Sequence, residues 1–139
     1  VSNFAVQALQ GKDLTIYGEG QQTRSFCFVS DLVTAACLMM QQSSEIGPMN
    51  LGNPTEITIL ELAQRIIQIT GSKSKIVRRP LPEDDPVRRC PNISKAKSTL
   101  KWTPKVELDT GLQKTIQYFD EMLSGGAAHR VRMRPQEEG

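Results

Sequence analysis

The apolar period of this chain switches between helical and extended over short distances, and that order limits its fold more than any other feature. Val1, Phe4, Ala5, Ala8 and Leu9 fall at i, i+3, i+4, i+7 and i+8, one helical face, which Gly11 can stop. Leu14–Tyr17 reads as a short strand, Gly18-Glu19-Gly20 as a turn, and residues 24–29 as a second strand rich in Phe and Val. Ser30 or Asp31 can cap a helix over about 32–42. Residues 48–51 read as a short strand ending at Gly52. Thr58 and Glu61 form a capping box, opening a helix that carries Ile59, Leu62, Ala63, Ile66 and Ile67 and closes at Gly71. A short strand is predicted at 75–77. Pro80, Pro82, Pro86 and Pro91 then break 80–91 into a loop. A small helix over about 93–100 follows. Leu112, Ile116, Phe119 and Leu123 predict a final amphipathic helix ended by Gly125-Gly126. The order αββαβαβαα is an α/β pattern.

The helix predicted at 32–42 is apolar nearly all round, with Leu32, Val33, Ala35, Ala36, Leu38, Met39 and Met40. Such a helix belongs between layers. A chain of 139 residues offers little to bury it, which points to a partner domain outside this sequence. The chain begins at Val1 without methionine, and a start upstream is expected. Residues 1–124 are expected to form the folded portion, and 125–139 a disordered tail without apolar period.

Several functions are disfavoured. A net charge of +2 and 5% aromatics predict neither nucleic-acid nor membrane binding. No run of 18 apolar residues is present, and no basic-then-apolar leader. Cys27, Cys37 and Cys90 are widely spaced without CxxC and read as reduced thiols, and His129 stands alone, so no metal site is expected.

Gly18-Glu19-Gly20 has the look of a phosphate-cradling loop, but the dinucleotide fingerprint needs a third glycine and a following helix, and here a strand follows. Arg24, at a strand start two residues after Gln22, can meet a phosphate through its planar fork. A solvated strand-end arginine is the bland alternative, and residue type alone favours it. Asp84-Asp85-Pro86-Val87-Arg88-Arg89 carries paired acids and paired arginines. Adjacent loop carboxylates need not share a site for acid–base work. Arg88 or Arg89 as an anion ligand is the sharper reading, set against a solvated charged loop.

Taken in order, Val1-Ser2-Asn3-Phe4, the run from Leu14 to Leu32, Asn50-Leu51-Gly52-Asn53-Pro54, Asp84-Asp85-Pro86 with Arg89, Pro91, Ile93 and Lys95-Ala96, and Trp102-Thr103-Pro104 resemble one family. They are similar to the extended short-chain dehydrogenases/reductases that act on sugar nucleotides, and within these to the UDP-glucuronate decarboxylases. The resemblance runs from Val1 to about Phe119. It implies the C-terminal, substrate-binding portion of a Rossmann-type fold, with the N-terminal Rossmann half missing from this chain. It also implies substrate-binding roles for Asn3, Tyr17, Gln22, Arg24 and Arg89, with Tyr17 near the base or ribose and the arginines on the diphosphate and ribose.

The implied reaction takes hydride from C4 of the glucuronate to bound NAD, loses carbon dioxide from the resulting β-keto acid, and returns hydride to give UDP-xylose. The family's Tyr-x-x-x-Lys pair does not occur here, since Tyr17 is followed by Gln21 and Tyr118 by Met122. No catalytic residue is therefore expected in this chain, NAD is expected to be bound mainly by the missing half, and the chain alone is expected to be inactive and poorly stable. A homodimeric whole enzyme is implied, cytoplasmic or, with an upstream anchor, in the Golgi lumen. A 4,6-dehydratase or 4-epimerase of the same superfamily, and a non-catalytic UDP-sugar-binding or interaction module, are the competing readings. Asn92, Lys101 and Cys90 depart from the family pattern, where Asp, Gly and a basic residue are usual.

Overall fold

The apolar periods resolve into two small sheets and five helices in the computed structural model, which describes residues 1–41, 47–81 and 88–125. The elements are α1 (Ser2–Leu9), β1 (Leu14–Tyr17), β2 (Thr23–Ser25), α2 (Val29–Gln41), β3 (Glu56–Thr58), α3 (Ile59–Thr70), β4 (Ile76–Arg79), β5 (Arg88–Arg89), α4 (Ser94–Leu100) and α5 (Leu108–Leu123). β1 pairs in parallel with β4, placing Tyr17 opposite Arg79. β2 lies between an antiparallel β3 and a parallel β5.

The main core joins α1, β1, β3, α3 and α5 through Ala5, Ala8, Leu14, Ile16, Ile57, Leu62, Ala63, Ile66, Leu112 and Ile116. Leu14, Ile16, Leu62, Ile66 and Ile116 are fully buried, and each such side chain contributes roughly 1.5–3 kcal/mol relative to exposure. Alternation explains β1: Leu14 and Ile16 face the core while Tyr17 is 46% exposed. α3 begins at the predicted capping box. The Thr58 hydroxyl accepts from the Glu61 N–H at 3.1 Å, and the Glu61 carboxylate accepts from the Thr58 N–H at 3.1 Å. Gly71 ends the helix in the left-handed conformation, at φ 64°.

A second cluster, Ala35, Ile93, Ala96, Leu100 and Trp102, binds α2 to α4. Only Asp31 and Ala35 of α2 are buried. Val29, Val33 and Met40 are 62%, 55% and 86% exposed, so the all-round apolar helix is left largely uncovered by the described residues.

Several expectations need correction. The second strand ends at Ser25 rather than Val29, because the Phe28 carbonyl accepts from the N–H groups of Asp31 and Leu32 and starts α2 a turn early. Neither Ser30 nor Asp31 caps that helix from outside, since both lie within it. Residues 48–51 form no strand; Met49 and Leu51 pack against the second cluster, and the strand falls at β3 instead. Arg88–Arg89, expected in a loop, is a strand paired with β2. Asp84 and Asp85, and the tail from 126 onward, lie outside the described residues.

Candidate functional site

A cleft of about 870 Å³ opens between α1, β1, β2 and α3. Asn3, Tyr17, Gln22 and Arg24, four of the five residues singled out in the sequence, line it. α1 and α3 pack against each other and against β1 in the main core, and β1 and β2 supply the cleft's strand residues. Arg89 does not line it. It stands beside Arg24 as that residue's partner in the parallel β2–β5 register.

Strand geometry separates the two arginines of β5. Register partners project to the same face of a sheet and successive residues to opposite faces. Arg24, Arg89 and the buried Ile57 therefore share one face, and Thr23, Arg88, Ser25 and Glu56 the other. On that second face Arg88 grips Glu56 with Nε at 2.9 Å from both carboxylate oxygens and Nη2 at 2.5 Å from Oε2. Thr23 donates to the same carboxylate at 2.6 Å. The Arg88 hydrogen bonds, then that of Thr23, hold the Glu56 carboxyl below the usual carboxylate range. Residue type left Arg88 and Arg89 as equal candidates and the family resemblance chose Arg89; the fold commits Arg88 to Glu56 and puts Arg89 with Arg24.

Gln22 is partly used by the fold: its Nε2 donates to the Tyr17 carbonyl at 3.0 Å, closing the Gly18–Gly20 turn. Arg24 Nη1 donates to the Thr23 carbonyl at 2.7 Å.

Two lining residues escaped the sequence reading. Arg79 enters the cleft as the strand partner of Tyr17, while Arg78 pairs with Glu19 at 3.2 Å. Only the β1–β4 register distinguishes these neighbours. Gln7 also lines the cleft, and its Oε1 is buried with no hydrogen-bond partner among the described residues. Such an acceptor calls for a donor. Its only sequence signal was its place one residue before Ala8 on α1.

The Gly18–Gly20 turn does not fit the NAD pyrophosphate. Gly18 and Gly20 have positive φ, 64° and 75°, but the turn runs into β2 rather than a helix. Gly20 serves close packing instead. A Cβ there would lie 3.1 Å from the Leu60 Cβ, and the Gly20 carbonyl accepts from the Leu60 N–H at 3.0 Å.

Other recognised motifs are structural. The Asp31 carboxylate accepts from the Lys105 and Val106 N–H groups, each at 2.9 Å, fixing the loop after Trp102-Thr103-Pro104. Asn92 accepts from the Ser94 N–H at 3.0 Å, work that either Asn or Asp can do at a helix start. Lys101 has φ 52° at the end of α4, a conformation that favours glycine.

A family model described as GDP-mannose 4,6 dehydratase matches residues 1–115. The chain belongs to the GDP-mannose 4,6 dehydratase family. UDP-glucuronic acid decarboxylase 1 of Danio rerio is 51% identical over 136 residues, covering 98% of this chain and 32% of that protein. The chain thus spans about a third of the length of the curated relatives it matches. Among solved structures, UDP-glucose 4-epimerase of Thermotoga maritima, with UDP-glucose, superposes with a TM-score of 0.80 at 32% identity, over 86% of this chain and 38% of that one. UDP-glucuronic acid 4-epimerase of Bacillus cereus, in complex with UDP-glucuronic acid and NAD, gives 0.80 at 26% identity, over 86% and 39%. The fold is that of part of an extended short-chain dehydrogenase/reductase, as the resemblance implied. No described helix is long and apolar enough to cross a membrane.

Proposed function

We propose that this chain is the sugar-nucleotide-binding portion of a UDP-glucuronate decarboxylase, whose whole enzyme converts UDP-glucuronate to UDP-xylose. The observation that carries this is the gathering of Asn3, Tyr17, Gln22 and Arg24 in one cleft, with Arg89 beside Arg24 on the same sheet face. Two guanidinium forks on adjacent strands suit a diphosphate, which offers several oxygen pairs to planar donors. The exposed ring of Tyr17 offers an apolar wall to the base or ribose, and Asn3, at the start of α1, lines the same cleft.

The chain's own part in the reaction is to bind and orient. Holding the nucleotide fixes the sugar in a single pose, and such positioning lowers the barrier without any group here touching the reacting carbon. NAD, when bound to the whole enzyme, supplies oxidation and reduction at C4, and its site lies outside the described residues. The uncovered apolar side of α2 supports a longer enzyme, because surface of this kind ordinarily packs against more protein. That enzyme is a cytoplasmic homodimer in this reading, or Golgi-lumenal where an anchor precedes this segment.

Calorimetric titration of UDP-glucuronate into the chain tests the site. Arg24→Ala and Arg89→Ala should each weaken binding about tenfold or more, as expected for a charged hydrogen bond worth about 1.5–3 kcal/mol. Unchanged affinity in both variants would reject these assignments. The likeness to 4-epimerases gives a second reading. Incubating the whole enzyme with UDP-glucuronate separates them: release of carbon dioxide with UDP-xylose marks a decarboxylase, and a product that keeps its carboxylate an epimerase.

A further inference from the structure

β5 is only two residues long, so its backbone ladder alone gives little hold on Arg89. The opposite face of the sheet supplies more. Glu56 of β3, Thr23 of β2 and Arg88 of β5 contribute one side chain from each strand, and all meet at one carboxylate. Arg88 reaches across β2 to do so, because β2 separates β5 from β3. Two further contacts continue the same alignment. The Cys90 thiol donates to the Pro54 carbonyl at 3.3 Å. Pro91 lies so close to Gly52 that a Cβ there would be 2.9 Å from the Pro91 Cγ. Residues 88–91 are thus tied to residues 52–56 through Arg88, Cys90 and Pro91.

We infer that Glu56 and Arg88 are positioning residues for nucleotide binding: their ion pair holds β5 against β2 so that Arg89 is presented beside Arg24 to the diphosphate. The inference rests on the sugar-nucleotide reading above. Neither residue lines the cleft, and both lie on the face opposite Arg24 and Arg89. Their effect on binding therefore runs through Arg89. A bidentate arginine–carboxylate pair has a defined geometry, so it fixes strand position as well as contributing attraction. The Thr23 hydroxyl orients the carboxylate from the middle strand.

The test is a binding cycle with UDP as the probe, on the full chain, with each variant's folding followed by urea denaturation. Glu56→Gln keeps the shape and an acceptor for Thr23 but removes the charge that grips Arg88. It should weaken UDP binding about tenfold, equivalent to about 1.4 kcal/mol. The double variant Glu56→Gln/Arg89→Ala should bind no more weakly than Arg89→Ala alone, because residues acting as one unit are not additive. Arg88→Gln should reproduce Glu56→Gln from the other strand, and the exchanged pair Glu56→Arg/Arg88→Glu should regain part of the affinity. Gly71→Ala, at the far end of α3 with open space around it, loses stability without touching the sheet and should leave the UDP affinity unchanged. UDP affinity in Glu56→Gln and Arg88→Gln equal to wild type, with Arg89→Ala weakened, would overturn the positioning role and leave the binding site standing. An equal loss in Gly71→Ala would reduce the effect to general stability and overturn it too. Failure of the wild-type chain to bind UDP, or of Arg89→Ala to weaken it, would overturn the sugar-nucleotide reading and this inference with it.

Discussion

Tyr17 and Arg79 are direct partners in the parallel β1–β4 register, and both face the cleft that holds Arg24. An aromatic ring and a guanidinium thus stand side by side at one end of the site, while Arg24 stands at another wall.

Arg79 should therefore contribute to nucleotide affinity. Arg79→Ala is expected to weaken UDP and UDP-glucuronate equally, by roughly three- to tenfold, because a partly exposed cation is screened by solvent. Arg78→Ala, which removes only the exposed pair with Glu19, should leave both affinities unchanged. Calorimetry on the two variants decides this, and equal effects at 78 and 79 would count against the register argument.

Asp31 is 7% exposed and accepts two backbone N–H groups from the loop that leads into α5. Replacement by Ala strands both donors, so Asp31→Ala should cost about 2–4 kcal/mol. Urea denaturation would show this as a lower midpoint. A loss below about 0.5 kcal/mol, ordinary for a surface change, would show that the loop finds other acceptors.

Lys101 carries a side chain in the left-handed region, at φ 52°. Lys101→Gly removes that strain and should stabilise the chain by roughly 1 kcal/mol. The helix-ending glycine is the usual solution at such a position. A thermal midpoint that falls on substitution would refute this account.

Acid should loosen α3 and the second sheet together. The Glu61 carboxyl is held below the usual range by the Thr58 N–H and then the Thr58 hydroxyl, and Glu56 by Arg88 and then Thr23. A folded-state pKa depressed below the unfolded value gives stability that is present above the unfolded pKa and lost as pH falls through the folded one. Unfolding free energy should thus decline from about pH 5 downward, and the decline should be shallower in Glu61→Gln and in Glu56→Gln. Denaturation series over acid pH would show it, and parallel curves for wild type and variants would remove these carboxylates as the cause.

Local signals were legible where neighbouring residues decide the outcome. The Thr58–Glu61 capping box, the Gly71 stop and the strand at Leu14–Tyr17 act over a turn or a strand, and all appear as predicted. Family motifs carried Arg24, Tyr17 and Gln22 to one cleft. The strand expected at 48–51 shows the limit: Met49 and Leu51 have the right side chains, but burial against the second cluster satisfies them without a ladder.

By itself the sequence determined the α/β class, the bounds of α3 from its capping box to Gly71, and Arg24 and Arg89 as arginines worth testing, because these depend on periodicity, residue chemistry and motif. Tertiary structure decided which arginine of each neighbouring pair is taken up by a carboxylate. Arg78 turns to Glu19 and Arg88 to Glu56, leaving Arg79 and Arg89 on the other side. In a strand that choice is a matter of register, and register is set by partners far away in the chain rather than by the arginines themselves.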